Sequence, residues 1–196
     1  MKFDVLSDNY YYCEGMKSAQ NTVHYILTPE DIDKFYICFA HNNPLIIAVE
    51  NMYLRGYIIE ICRLMKSQYI VLLEDMVKNG WFEIDNVIYS AMDSSQHHIR
   101  KVITSPVMNK NERLTPRERD ILPHVHLSNT TIATKLNLSQ KTASGYKIVI
   151  KRKLKMKFYN SLALTRMKNA IMCSDTTAKN NSLTRRQKVE PRQKHV

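Results

Sequence analysis

Along the first 105 residues, short apolar runs alternate with segments of helical period; beyond them only helical periods remain. Phe3–Leu6, Val23–Leu27, Leu45–Val49 and Tyr69–Leu73 are apolar stretches of strand length, and Val87–Tyr89 is a weaker fifth. Runs with no polar alternation suit strands covered on both faces, so the pattern predicts a parallel sheet with helices on each side. Helices are expected over Tyr10–Ala19, with Asp8 or Asn9 as N-cap, and over Asn51–Lys66, where Leu54, Ile58, Ile61 and Met65 fall in register. Thr28-Pro29-Glu30-Asp31 is a helix start, with Thr28 at the N-cap, Pro29 at the first helical position and an acidic first turn. That helix is expected to reach Ala40 with Ile32, Phe35, Tyr36 and Phe39 on one face, and His41-Asn42-Asn43-Pro44 breaks it. A short helix over Met76–Phe82, broken at Gly80, and a last one from Ser94 or Ser95 to Thr104 complete this half.

The polar stretch 106–113 is the expected linker. After it, Thr115-Pro116-Arg117-Glu118 fits a capping box, in which the N-cap hydroxyl and the Glu three residues on satisfy each other's backbone amides. Ile121, Leu122 and Val125 would face a core. Ser128 or Asn129 starts a short second helix with Ile132 and Leu136 inward; Asn137-Leu138 turns, and Ser139 caps a third helix from Gln140 to about Lys155. Ala143, Tyr146, Ile150 and Leu154 form its apolar stripe, and Asn160 starts a fourth helix with Leu164, Met167 and Ile171 inward. A short helix, a tight turn and a longer helix make a helix-turn-helix. The expected fold is therefore α/β plus all-α: a doubly wound five-stranded domain over 1–105, then a four-helix helix-turn-helix domain over 114–173 whose scaffold and third helices span about 129–154. Residues 174–196 are polar, basic and aperiodic, and read as a disordered tail.

Charge divides the chain at the same place. Residues 1–105 carry a net −4, residues 106–173 a net +11 and residues 174–196 a net +4. A mildly acidic half joined to a strongly basic one suggests a regulatory module beside a polyanion-binding one. The third helix and its exit hold Lys141, Lys147, Lys151, Arg152, Lys153, Lys155 and Lys157 and no acid, whereas a merely solvated helix mixes signs. Its non-core face offers short polar groups near the start, suited to base edges, and cations near the end, suited to phosphates. The residues expected to meet DNA are Gln140, Lys141, Thr142, Ser144, Gly145, Lys147, Ile148, Lys151, Arg152 and Lys155.

Other chemistries find little support. The four cysteines, Cys13, Cys38, Cys62 and Cys173, form no C-x-x-C pair and read as buried thiols of a reducing compartment. His97–His98 and His124/His126 have no Cys or carboxylate at metal-ligand spacing, so neither a metal nor a cofactor is expected. The longest apolar runs, Pro44–Val49 and Tyr69–Leu73, are far short of a membrane span, and no secretory signal is visible, so a cytoplasmic, nucleoid-associated protein is expected. Without a nucleophile–base pair or a Gly-rich phosphate loop, an enzyme is not expected.

Leu114-Thr115-Pro116-Arg117-Glu118-Arg119-Asp120-Ile121-Leu122, Leu127-Ser128-Asn129-Thr130-Thr131-Ile132-Ala133, Leu138-Ser139-Gln140-Lys141-Thr142-Ala143 and Ile150-Lys151-Arg152-Lys153-Leu154 resemble, in order, the opening, scaffold helix and recognition helix of the LuxR/FixJ-type domain. The resemblance implies a third helix in the DNA major groove, with Lys141, Thr142, Ser144, Lys147 and Lys151 at positions that commonly meet DNA, and a fourth helix that often supports dimerisation. The chain departs from the pattern in a shorter turn between the first two helices that lacks the usual glycine, in Pro123 late in the first helix, in Gly145 within the third and in Tyr146 where the family usually has His.

The β/α half resembles a response-regulator receiver. Val5-Leu6-Ser7-Asp8-Asn9 is similar to its first strand and acidic pair, but Ser7 replaces the first acid; Ala48-Val49-Glu50-Asn51 lacks the phosphoacceptor Asp, and Ser90-Ala91-Met92 lacks the Lys. Asp8 then reads as a helix N-cap rather than a metal ligand, and Glu50 as a surface residue or a mimic of a phosphorylated Asp. The combination resembles the auxiliary capsule and fimbrial regulators of enteric bacteria, of the Rcs co-activator type. It implies phosphorylation-independent control of transcription on double-stranded DNA, as a homodimer or a heterodimer with a LuxR-type response regulator. The competing reading is a protein-binding antagonist that sequesters a related regulator and barely touches DNA.

Overall fold

The computed structural model describes residues 2–19, 21–34, 43–104 and 108–172. All five expected strands form: β1 (Phe3–Ser7), β2 (Asn21–Tyr25), β3 (Leu45–Ala48), β4 (Tyr69–Leu73) and β6 (Val87–Ala91). They lie in the order β2-β1-β3-β4-β6, and every pair among them is parallel. Successive residues of each strand point to opposite faces, and both faces are covered. Phe3, Val5, Ile46, Ile70, Leu72 and Ile88 pack with Met16 of α1 (Tyr10–Met16) and Ile99, Val102 and Ile103 of α4 (Gln96–Thr104). Leu6, Leu45, Ile47, Val71 and Tyr89 pack with Ile32 of α2 (Pro29–Lys34) and Leu54, Ile58 and Cys62 of α3 (Met52–Met65).

The sheet has six strands, not five. β5 (Trp81–Ile84) occupies part of the segment expected to be a short helix and pairs antiparallel with β6 at the sheet edge. Its burial alternates from Trp81 to Ile84, a period of two that no helix satisfies. Asp85 and Asn86 supply the hairpin turn, with φ of 51° and 63°. Positive φ at both central residues is the condition of the two-residue turn that matches strand twist. Phe82 stacks on its cross-strand partner Tyr89 at 4.9 Å and 16°.

Further differences are local. The first helix stops at Met16 rather than Ala19, and Asn9 is its N-cap, accepting from the Tyr12 amide. Asp8 does not cap it. The Asp8 carboxylate instead accepts the amides of Glu50 at 2.9 Å and Asn51 at 2.8 Å, tying the end of β1 to the end of β3. Nothing in the spacing of Asp8 reveals that contact, because its partners lie more than 40 residues away. The expected extension of the second helix through Phe35, Tyr36 and Phe39, the thiols Cys38 and Cys173 and the tail 174–196 lie outside the described residues. Cys13 and Cys62 are buried free thiols.

A helical region follows: a 3-10 turn at Lys110–Glu112, α5 (Pro116–Ile121), a second 3-10 turn at Leu122–His124, α6 (Asn129–Leu136), α7 (Gln140–Lys153) and α8 over 161–172. Pro123, which has no N–H to donate, lies in the 3-10 turn that follows α5. The sheet-side core continues without interruption into this region through Leu114, Ile121, Ile132, Ile150, Met156 and Met167. At the junction, Met76 and Met156 form an antiparallel bridge, the Val77 amide donates to the Lys155 carbonyl at 2.8 Å, and the Lys157 amide donates to the Asp75 carbonyl at 2.8 Å. The buried Asp75 carboxylate accepts from Arg166 Nε at 2.8 Å and Nη2 at 2.7 Å. Asp75 thereby holds α8 against the carboxyl end of β4.

Candidate nucleic-acid interface

The helix-turn-helix is built by its caps. Ser128 accepts the Thr131 amide at the start of α6, and Asn137, at φ 51°, ends that helix in the left-handed conformation. The Leu138 amide returns to the Ala133 carbonyl at 2.9 Å, and two residues later α7 begins, with the Ser139 hydroxyl accepting the Thr142 amide at 3.0 Å. The short, capped turn directs α7 away from α6, while Ile132, Ala133, Ala143 and Ile150 are buried and seat the two helices together. The first helix is fixed by the full capping box: the Glu118 amide donates to Thr115 Oγ1, and the Thr115 amide donates to Glu118 Oε2 at 2.7 Å.

The expected contact residues fall into two groups. Gln140, Lys141, Thr142, Gly145, Ile148 and Arg152 are exposed on α7. The Thr142 hydroxyl lies 2.8 Å from that of Ser139, within the cap. Ser144, Lys147, Lys151 and Lys155 are half-buried. Lys147 Nζ donates to the Leu127 carbonyl at 2.7 Å, bracing α7 against the chain just ahead of α6. Burial, and then the nearby Lys151, hold its ammonium below the usual lysine range. Lys151 Nζ donates to the Tyr159 carbonyl at 3.3 Å and lies 5.1 Å from the centre of that ring, and burial lowers its pKa too. Lys155 leaves the helix at φ 51° and pairs with Glu112 at 2.7 Å. Lys153, part of the same run of cations, donates to Glu118 at 2.7 Å and to the Arg113 carbonyl at 2.9 Å.

The basic run is therefore partly internal wiring. Sequence reasoning missed Glu118 and Glu112 as the acids that absorb Lys153 and Lys155. The capping box marked Glu118 but gave it a partner three residues away, not one 35 residues away. Burial works to raise the Glu118 carboxyl, and the Lys153 ammonium and the Thr115 amide overcome it, so its pKa lies below the usual range. What remains facing outward is a face without a carboxylate, since Gln140–Lys153 contains no Asp or Glu. It has polar and small groups in its first turns and Arg152 in its last.

Among the described residues no group of His, Cys, Asp and Glu is placed to hold a metal ion, and no helix is long and apolar enough to cross a membrane. Residues 112–167 match the family described as bacterial regulatory proteins, luxR family. No curated protein and no solved structure matches the chain. The matched segment begins in the 3-10 turn before α5 and ends in α8, so it takes in the whole helix-turn-helix. The luxR-family domain, on this geometry, supports a DNA-binding transcription regulator of LuxR type.

Proposed function

We propose that the protein regulates transcription by placing α7 in the DNA major groove, with Gln140, Lys141, Thr142, Ser144, Gly145 and Ile148 toward the bases and Lys147, Lys151, Arg152 and Lys155 toward the phosphates. The observation that carries this reading is the exposed, carboxylate-free face of the capped helix α7 in a segment that matches the luxR family. Lys147, Lys151 and Lys155 reach phosphates only by exchanging an internal partner, so Lys141 and Arg152 lead the electrostatic term. We assign 114–173 to DNA binding, 106–113 to a linker, 1–105 to a receiver-like regulatory or dimerisation domain, and 174–196 to a basic tail.

Control is independent of phosphorylation. Three features support this: the Asp8 carboxylate is occupied by two backbone amides, Ser7 Oγ is committed to the Ala48 carbonyl at 2.7 Å, and Glu50 stands after β3 where a receiver carries Asp. The protein works in the cytoplasm on the nucleoid, as a homodimer or with a response-regulator partner. Its targets are surface-structure genes such as those of fimbriae or capsule; this part rests on the resemblance to auxiliary enteric regulators. A salt-titrated mobility-shift assay with purified full-length protein tests the core of the proposal. Specific retardation that weakens steeply with salt is expected. Absence of any specific shift, alone or with a LuxR-type partner, sinks it and leaves the antagonist reading.

A further inference from the structure

The outward strip of α7 runs Lys141, Gly145, Ile148, Arg152, spaced four, three and four residues apart, which places the four side-chain positions on one face. Ile148 is 64% exposed at its centre. Beside it, a Cβ built on Gly145 would meet nothing within 4 Å, so the strip has a notch next to a largely exposed branched aliphatic chain. Ile148 brings neither a cation for a phosphate nor a hydrogen bond for a base edge. The one apolar group that a base pair presents in the major groove is the 5-methyl of thymine.

We propose that Ile148, with the notch left by Gly145, reads a thymine 5-methyl group in the major groove. This rests on the DNA-binding reading above. The flanking Lys141 and Arg152, on a helix without acids, complement a polyanion better than the apolar groove of a protein. Gly145 lets the helix backbone approach closely enough for a side chain as short as isoleucine to reach the base. It also accounts for a residue that costs a helix interior about 1 kcal/mol relative to Ala.

The test uses the full chain. Duplexes are enriched from a random pool by the purified protein, and each thymine of the preferred site is then replaced by deoxyuridine, which removes only the methyl group. At one position per half-site, binding should weaken roughly fourfold, the share of one methyl-sized group removed from water. Ile148→Ala should abolish that difference, binding the thymine duplex about as weakly as the parent protein binds the uracil one. Gly145→Ala, which meets no atom in the free protein, should raise thermal stability yet weaken binding to the same site. Enrichment with full indifference to uracil, or uracil sensitivity unchanged in Ile148→Ala, overturns this inference alone. A changed oligomeric state in Ile148→Ala with DNA affinity intact overturns it in favour of a protein contact. Failure to retain any duplex overturns the DNA-binding reading beneath it as well.

Discussion

Glu118 and Lys153 lie 2.7 Å apart with side-chain exposures of 7% and 10%, so the pair is nearly out of water. Breaking such a pair from one side leaves a buried charge and typically costs about 3–5 kcal/mol. Glu118→Gln should destabilise the chain by the lower end of that range at neutral pH, because Lys153 keeps the Arg113 carbonyl. The folded pKa of Glu118 is depressed, so its stabilisation is fully present above the unfolded carboxyl range near 4.3 and is lost as pH falls through the lower folded value. Urea unfolding of both proteins across a pH series checks this: the gap should be constant above about pH 5 and shrink below pH 4. A gap that does not narrow in acid would refute the assignment. The identity and spacing of Glu118 mark it in the sequence as a capping residue. Its second role is not legible there, because a run of like-charged residues does not say which members find an acid in space.

At the scale of elements, α7 is a positioned helix as much as a charged one. Lys141→Ala and Arg152→Ala should each reduce the log–log salt slope of DNA binding by roughly 0.9, the release of one counterion equivalent. Lys147→Ala should reduce the slope by less than either and lower the melting temperature, since Lys147 reaches a phosphate only by giving up its brace to Leu127. The hairpin joining β5 to β6 makes a similar point for the sheet. Asn86 sits at φ 63°, in a conformation that costs a β-branched residue about 1–2 kcal/mol. Asn86→Val should therefore destabilise by that amount in thermal unfolding, and Asn86→Gly should not. The Asp85-Asn86 pair flanked by Trp81–Ile84 and Val87–Tyr89 is a hairpin signal present in the sequence, and the helical reading of Met76–Phe82 passed over it. The four remaining strands beside β6 were legible because continuous apolar runs of that length have few other places to go.

For the whole molecule, the two halves share one core and exchange backbone hydrogen bonds at Asp75, Val77, Lys155 and Lys157. The chain should accordingly unfold in one cooperative transition rather than two. Gly80 guards that junction: a Cβ there would come within 2.7 Å of the Val77 carbonyl and 2.9 Å of Lys155 Cβ. Gly80→Ala should cost about 1–3 kcal/mol, as overpacking does, and separate the calorimetric peak into two components as the halves part. A single unbroken peak at wild-type temperature would contradict it. The carboxyl edge of the sheet supplies the charge side of the same contact. Burial and then Glu74 raise the Glu50 carboxyl, while Arg166, paired to Asp75, answers part of that negative charge.

Much of the local structure can be read from the chain alone: apolar runs chose five of the six strands, hydroxyl and amide caps placed the helix starts, and the sign of the charge separated the two halves. These are properties of neighbouring residues, and short-range sterics and solvation decide them. Packing in three dimensions sets which cations of the third helix remain available, commits Asp8 to the end of β3, and joins the halves through Asp75 and Gly80. Those outcomes depend on partners tens of residues away, which chain order does not specify and packing does.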